Sequence, residues 1–140
     1  MPLKLNATEL MAYINEVFPQ VKGDFSIDSL DETALRVRLN VEDRHLRPGG
    51  TVSGPSIFAL ADVAVYMAVL SMTGREALAV TTSCSIDFMR KPAAKTDLIA
   101  DCRLLKLGRV LAVGDVLIYS DGMDKPVARA SLTYSIPPKS

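Results

Sequence analysis

One carboxylate lies in the middle of a long apolar stretch. Asp62 is the only acidic residue in segment 55–72, where nearly all other residues are Ala, Val, Leu, Ile, Phe or Met. A carboxylate buried there is costly unless it is paired, hydrogen-bonded or beside a water-filled cleft. Perturbed carboxylates act as nucleophiles and bases, but they also cap backbone groups or pair with a neighbouring subunit. The sequence leaves a catalytic and a structural role for Asp62 open.

Helical spacing places three further side chains near Asp62. Ala59, Tyr66 and Thr73 recur at intervals that put them on the same face of a helix. This face is small and partly polar, which is typical of a surface that meets a ligand. Tyr66 is therefore a candidate substrate-binding residue.

A glycine-rich loop runs into the start of the apolar stretch. Residues 47–55, with the sequence Arg-Pro-Gly-Gly-Thr-Val-Ser-Gly-Pro, favour neither helix nor strand. The glycines let backbone N–H groups approach a ligand, and the free donors of a first helical turn can bind an oxyanion. Pro55 carries no N–H, so the predicted donor is Gly54 or Ser56. The alternative is a turn without chemistry. The glycines of this loop are Gly49, Gly50 and Gly54.

Basic residues cluster at the ends of the predicted strands in the second half of the chain. In an antiparallel sheet such ends can converge, which would form a patch suited to phosphate groups. Solvated strand ends are the alternative explanation. The basic residues are Arg90, Lys91, Lys95, Lys106 and Arg109.

The remaining reactive residue types show no spacing that indicates chemistry. His45 is the only histidine and has no acid or nucleophile at a recognisable distance along the chain, so it is interpreted as a loop histidine. Cys84 and Cys102 form neither a CxxC nor a Cys/His pattern, so no metal site and no cysteine nucleophile is predicted. Ser53 and Ser56 lack a partner base. No phosphate-binding loop and no dinucleotide fingerprint is present.

Composition limits the class of protein. The 140 residues fit one domain, 1–140, and 49% apolar residues against 23% charged ones exclude a disordered chain. Sixteen basic residues balance sixteen acidic ones, so no net field favours nucleic acid or an anionic membrane. Segment 55–72 is barely long enough to span a bilayer, and Asp62 at mid-bilayer would cost about 3 kcal/mol. We therefore expect a helix inside a domain, and a reduced, cytoplasmic protein without a signal peptide.

The periodicity of the chain predicts an α+β fold. An apolar helix without a polar stripe must be surrounded, and a curved antiparallel sheet of five or six strands wrapped around it would do so. The sheet edges and outer face would still need covering, so a dimer or tetramer is expected. The predicted elements are a first helix capped by Asn6 and Glu9 and closed by Pro19, strands near 25–27 and 35–41, the helix 55–72, and strands at 77–89, 98–107, 110–119 and 126–136.

Three segments resemble one known family. Residues 53–64, Ser-Gly-Pro-Ser-Ile-Phe-Ala-Leu-Ala-Asp-Val-Ala, resemble the His-Gly-Gly…Leu-Ala-Asp-x-Ala signature of hotdog-fold acyl-CoA thioesterases of the PaaI type. Segment 81–92, which begins Thr-Thr and contains Asp-Phe-Met-Arg-Lys-Pro, resembles the family's ThrThr…AsnPheLeuArgPro segment. Segment 106–109 resembles its Lys/Arg-x-Gly-Arg turn. The likeness runs from about residue 41 to the C-terminus, with matching spacing.

The resemblance implies a hotdog fold, with a sheet wrapped around a long central helix, and hydrolysis of an acyl-CoA thioester. It implies that Asp62 is the catalytic carboxylate, as nucleophile or as base for water, and that Gly54 supplies the oxyanion N–H. It further implies active sites between subunits of a homodimer or homotetramer, without a cofactor or metal. The residues expected at substrate and coenzyme A are Gly50, Tyr66, Thr82, Arg90, Lys91, Lys106 and Arg109.

Three positions depart from the family's motif. Ser53 stands in place of the histidine, Arg47 in place of an upstream asparagine or glutamine, and Pro55 in place of the second glycine. Ser53 and Arg47 are still candidate catalytic residues by position, and Arg47 could supply positive charge to the oxyanion. The same departures support an alternative, a noncatalytic acyl-CoA-binding protein. A structural oligomer in which Asp62 bonds across an interface is a second alternative.

Overall fold

The computed structural model describes residues 2–138. Within these residues, two helices and six strands follow the order that the sequence predicts, and two short 3-10 turns that it did not predict lie between them. The ends of the predicted strands differ from the observed ones by up to three residues, which is the difference at the end of the first strand and at the start of the third. The elements are α1 Ala7–Val17, β1 Phe25–Leu30, β2 Leu35–Leu39, α2 Gly54–Thr73, β3 Val80–Phe88, β4 Leu98–Leu107, β5 Leu111–Ser120 and β6 Ala128–Ser135, with 3-10 turns at Pro19–Val21 and Asp43–His45.

All six strands form one antiparallel sheet. Its strand order is β1-β2-β4-β5-β6-β3, and α2 lies across one face in contact with β2, β3, β4, β5 and β6. Inward-facing side chains alternate with outward-facing ones along β5 and β6, which form the middle of the sheet with β4. The predicted curved sheet around a central helix is confirmed.

The ends of α2 follow from local sequence. Ser53 is the N-cap and accepts a hydrogen bond from the N–H of Ser56, while Pro55 occupies the first turn. Gly74, with φ at 93°, ends the helix and donates its N–H to the carbonyl of Leu70. By length and composition α2 could cross a membrane, but 67% of its most apolar window is buried in this fold. Here it is the core helix that the sheet surrounds.

The first helix covers one end of the core. Asn6 and Glu9 form the predicted capping box, and Leu10, Tyr13 and Ile14 are buried. The hydroxyl of Tyr13 accepts a hydrogen bond from the N–H of Ala77, in the segment between α2 and β3. This contact ties α1 to the chain that enters β3.

The third strand forms an open edge of the sheet. It pairs with β6, and in the described part of the chain no strand pairs with its other side. Val80 and Phe88 are more than half exposed, and Leu78 and Met89 beside the strand are also exposed. An apolar, nine-residue edge of this kind is a surface that proteins usually cover. The structure thus shows the uncovered edge that the sequence argument required.

Candidate active site

Asp62 is half-buried on α2, and its two carboxylate oxygens differ in their surroundings. Its Oδ1 atom accepts a hydrogen bond from Oη of Tyr134 at 2.7 Å and another from Oγ1 of Thr81 at 2.5 Å. Oη of Tyr134 also lies 3.0 Å from the carbonyl oxygen of Asp62. Within residues 2–138, Oδ2 has no hydrogen-bond partner and is not sealed from solvent.

A pocket of about 350 Å³ opens beside the Asp62 carboxylate. Three aromatic rings build part of its wall. Tyr66 stacks on Tyr134 with ring centroids 6.0 Å apart, and Phe18 meets Tyr66 edge-on at 6.4 Å. The hydroxyl of Tyr66 donates to the carbonyl of Ala77 at 2.7 Å, which fixes this ring. The full lining is Val17, Phe18, Asp62, Val63, Tyr66, Ala77, Ala79, Val80, Thr81 and Tyr134. Asp62 therefore accepts hydrogen bonds from two hydroxyl groups and also borders a cavity.

Burial raises the pKa of two tyrosines that line the pocket and of one cysteine outside its lining. It raises the pKa of the Tyr134 phenol well above its usual range, and the nearby charge of Asp62 adds to the effect. Burial likewise raises the pKa of Tyr66. The pKa of the Cys84 thiol is raised by burial and then by Asp62. At neutral pH both tyrosines are therefore neutral hydrogen-bond donors, and Cys84 is a thiol rather than a thiolate.

The register of β3 against β6 selects the residues that contact Asp62. Thr81 and Tyr134 are directly opposite each other in this strand pair, and both contact α2. An irregularity between Thr81 and Ser83 puts Thr82 outside the regular pairing. Thr82 is exposed and donates its hydroxyl to the carbonyl of Thr133. The sequence predicted Thr82 as a substrate-binding residue, which stays a prediction, whereas the residue that contacts Asp62 is Thr81. The Thr-Thr pair was the signal for Thr81, and no local signal pointed to Tyr134.

The start of α2 presents one free backbone donor. The hydroxyl of Ser53 accepts from the N–H of Ser56 at 3.3 Å and donates to Oγ of Ser56 at 3.1 Å. The N–H of Gly54 has no acceptor in the part of the chain that the structure describes. Of the two donors that the sequence proposed, only the Gly54 N–H remains free for a ligand. The Ser53 hydroxyl, a candidate catalytic group, is used in capping the helix.

Gly54 and Asp62 cannot act on one carbonyl from the same chain. They are eight residues apart on one helix, which separates them by about 12 Å along its axis at 1.5 Å per residue. A reacting carbonyl must lie within about 3 Å of both the oxyanion donor and the attacking group. A site that uses both residues therefore needs Gly54 of one chain and Asp62 of another.

The loop before α2 is held by a buried histidine. Nδ1 of His45 accepts from the N–H of Glu42 at 2.9 Å, and Nε2 lies 3.4 Å from Oδ1 of Asp24. The carbonyl of His45 accepts from the N–H of Ser53 at 2.8 Å, next to the first residue of α2. His45 is thus buried and structural, within a 3-10 turn rather than on an open loop.

Arg47 and Gly50 lie on a tight turn within the same loop. The N–H of Gly50 donates to the carbonyl of Arg47 at 3.0 Å, and its carbonyl accepts from the N–H of Lys95. Gly49 and Gly50 have φ values of 101° and 83°, which glycine adopts without strain. Arg47 is exposed, and neither it nor Gly50 lines the Asp62 pocket of this chain.

The predicted convergence of the basic residues is wrong within one chain. Arg90 and Lys91 follow the end of β3 where Phe88 pairs with Ala128, close to the start of α2. Lys106 and Arg109 lie where β4 turns into β5, at the opposite end of the sheet. Ten residues of β4 separate the two ends by about 30 Å. The antiparallel order puts the 90–95 segment and the 106–109 turn at opposite ends, so only another chain could bring the two groups together.

No metal centre is found in the described residues. Between residues 2 and 138 no three His, Cys, Asp or Glu side chains are grouped to hold an ion, and Cys84 and Cys102 are free thiols. Of the predicted site residues, Asp62 and Tyr66 share the pocket, and Gly54 does not line it within one chain.

Comparison with known proteins gives the family. Residues 49–127 match the model of the thioesterase superfamily. A candidate thioesterase from Silicibacter sp. TM1040 is 63% identical with a TM-score of 0.93, over 99% of this chain and 96% of that chain. The Escherichia coli PaaI protein of the phenylacetic acid degradation operon is 26% identical with a TM-score of 0.80, over 96% and 95%.

A PaaI protein from Thermus thermophilus, solved as a point mutant, is 28% identical with a TM-score of 0.72, over 85% of this chain and 99% of that chain. No curated protein sequence is significantly similar. The family match spans more than half of the chain and includes both Gly54 and Asp62. The chain therefore belongs to the thioesterase superfamily, as a hotdog-fold protein of the PaaI type.

Proposed function

We propose that this protein hydrolyses an acyl-CoA thioester to a free acid and coenzyme A, with Asp62 as nucleophile or general base. Membership of the thioesterase superfamily supports thioester hydrolysis. The observation that carries the role of Asp62 is the asymmetry of its carboxylate. One oxygen is fixed by two hydroxyl groups, and the other is unbonded beside a pocket.

Two chains would form each active site. The separation of Gly54 and Asp62 along α2 supports an active site shared by two chains. The uncovered edge of β3 offers a surface through which two chains could associate. Two β3 edges related by a two-fold axis would pair antiparallel and cover Val80, Phe88 and their exposed neighbours. We propose a homodimer of this kind, alone or as half of a homotetramer.

The reaction needs only a water molecule and the two groups already described. The thioester carbonyl would accept a hydrogen bond from the Gly54 N–H, at the positive end of α2. In the base route, Asp62 of the other chain takes a proton from water, and the water oxygen bonds to the carbonyl carbon. The C–S bond then breaks, and the thiolate of coenzyme A takes the proton. In the nucleophile route, a carboxylate oxygen of Asp62 bonds to the carbonyl carbon and the C–S bond breaks, which releases coenzyme A as a thiolate and leaves an acyl anhydride. Water then hydrolyses the anhydride to the free acid and the Asp62 carboxylate, and the remaining proton goes to the thiolate.

Basic residues of more than one chain would together bind one coenzyme A. Arg90 and Lys91 lie at the same end of the sheet as Gly54, so they are placed to meet phosphates of a substrate bound there. Arg90 already donates one N–H to the carbonyl of Pro126, which orients its guanidinium. Lys106 and Arg109 would have to come from another chain, because they lie at the opposite end of their own sheet.

A noncatalytic acyl-CoA-binding protein is the second candidate. It is favoured by Ser53, whose hydroxyl caps α2 and so leaves no side chain to polarise the thioester at the motif's histidine position. Both candidates use the same pocket and the same chains. They differ in whether the thioester bond is broken.

A panel of acyl-CoA esters, assayed for release of free thiol, separates these candidates. For the best substrate, Asp62→Asn should lower turnover at least about 100-fold, because a general base or nucleophile is lost. Folding should be kept, since an amide oxygen can still accept from Thr81 and Tyr134. Asp115→Asn, on the outer face of β5, is the control and should turn over normally.

Binding of acyl-CoA without thiol release would favour the noncatalytic protein. Absence of both thiol release and thermal stabilisation by coenzyme A would indicate a structural oligomer, since a ligand of the native state must raise its Tm. An Asp62→Asn protein with wild-type turnover would contradict the mechanism.

A further inference from the structure

We propose that Tyr134 is a positioning residue, whose hydroxyl holds Oδ1 of Asp62 and so leaves Oδ2 as the oxygen that takes part in hydrolysis. This inference rests on the proposed function, because it concerns the same carboxylate. It assigns the reacting atom and names a residue that acts through Asp62 without touching the reacting carbonyl.

The Tyr134 hydroxyl contacts both the side chain and the backbone of Asp62. Oη of Tyr134 lies 2.7 Å from Oδ1 and 3.0 Å from the backbone carbonyl oxygen of Asp62. A phenol has one proton, so these two acceptors share it. The same oxygen thus fixes the side-chain torsion of Asp62 relative to its own backbone on α2. A carboxylate held in this way has one rotational setting rather than several.

Tyr134 is itself held in place by the residues and strands around it. Tyr134 is 3% exposed, its strand β6 is paired on both sides, and its ring is stacked on Tyr66. Thr81 also donates to Oδ1, but it is half-buried and belongs to the edge strand β3. A hydroxyl at the end of a packed aromatic ring has little freedom to move. Tyr134 is therefore the firmer of the two anchors.

The hydrogen bonds to Asp62 make its two carboxylate oxygens unequal in reactivity. Two donors on Oδ1 stabilise negative charge at that atom, so it is the weaker base and nucleophile of the pair. Oδ2 has no partner among the described residues and lies on a residue that lines the pocket. Burial holds the pKa of Tyr134 above its usual range, so the phenol stays protonated and continues to donate. Water or thioester would therefore meet Oδ2.

The test is the variant Tyr134→Phe, which removes only the oxygen atom. The ring keeps its stacking on Tyr66, and Oδ1 keeps the hydrogen bond from Thr81, so a folded protein is expected. Loss of the anchor lets the carboxylate rotate, and misplacement by about 1 Å can cost up to about 100-fold. We expect kcat for the best acyl-CoA to fall about 10-fold or more, with KM changed less than about 3-fold.

A matched control is Tyr13→Phe. Its hydroxyl is also held by one backbone group, the N–H of Ala77, but it does not touch Asp62. Both variants should lose a little Tm, because each loses a buried hydrogen bond. Only Tyr134→Phe should lose kcat. A double variant with Asp62→Asn gives a second readout. If Tyr134 acts through the carboxylate, adding Tyr134→Phe to Asp62→Asn lowers the residual rate no further.

The outcomes separate this inference from the proposed function. If wild-type protein releases no thiol from any acyl-CoA, the proposed function fails and this inference with it. If wild type is active, Asp62→Asn is inactive and Tyr134→Phe has wild-type kcat, only this inference is wrong. A Tyr134→Phe protein that does not fold, while Tyr13→Phe does, would also overturn it, because the hydroxyl would then be structural.

Discussion

Gly114 of β5 faces the central helix, and a methyl group added there would press on Val65 of α2. A Cβ atom at position 114 would stand 2.8 and 2.9 Å from the two methyl carbons of Val65 and 3.4 Å from its Cβ. Carbon atoms pack best at about 3.5–4.0 Å. Val65 is fully buried, so its side chain has no free space to turn into. Gly114→Ala must therefore push α2 away from the sheet.

The expected loss follows from overpacking in a dense core. Inserting one methyl group against a rigid neighbour costs about 1–3 kcal/mol. For a chain of this size we expect the Tm to fall by about 3–12 °C. Because α2 carries both Asp62 and Gly54, a displaced helix should also lower kcat for thioester hydrolysis. Thermal unfolding by circular dichroism, at one fixed protein concentration, measures the first effect.

A second substitution tests the cause. Val65→Ala alone removes two buried methyl groups and should be destabilising, by about 2 kcal/mol. In the double variant the new methyl at position 114 enters the space that Val65 vacated. The double variant should therefore be more stable than the sum of the single effects, by about 1 kcal/mol or more. Simple additivity, or a Gly114→Ala protein with wild-type Tm, would refute the close approach of β5 and α2.

Two further predictions concern charge and thiol chemistry. Arg38 donates to Asp28, Asp97 and Asp121, and its hydrogen bond lowers the pKa of Asp121. A carboxylate with a lowered pKa stabilises the fold at pH values above its ordinary pKa of about 3.9. This stabilisation is lost as the pH falls below that value. Arg38→Met should thus have a lower Tm than wild type at pH 7, and the difference should shrink below about pH 4; an equal difference at both pH values would contradict this. Burial raises the pKa of Cys102 to about 12. Iodoacetamide at pH 8 should therefore label Cys102 only after the protein is unfolded in urea, as measured by mass spectrometry. Equal labelling of the native protein would show the burial to be wrong.

The sequence determined the features that depend on near neighbours. The capping box of α1 is predicted from Asn6 and Glu9, and the apolar run 55–72 predicts α2 to within one residue at each end. Alternating apolar residues predicted the strands, because successive side chains in a strand face opposite sides. Asp62 was identified because one charge in an apolar helix requires an explanation. The motif around it gave the family without any coordinates.

Tertiary structure alone decided what surrounds Asp62. Tyr134 is 72 residues away along the chain, and its contact depends on how β6 is placed against α2. The choice of Thr81 over Thr82 depends on one irregularity in the pairing of β3, and a shift of one residue reverses the face of a side chain.

The basic residues show the same dependence on topology. Arg90 and Arg109 are separated in the chain by a single strand, β4, with its two flanking loops, yet that strand carries them to opposite ends of the sheet. Local sequence indicates the type of each element, because helix hydrogen bonds join residues four apart and the alternation of a strand is read from successive residues. The distances between elements depend on strand order and register, which are set by packing of the whole chain.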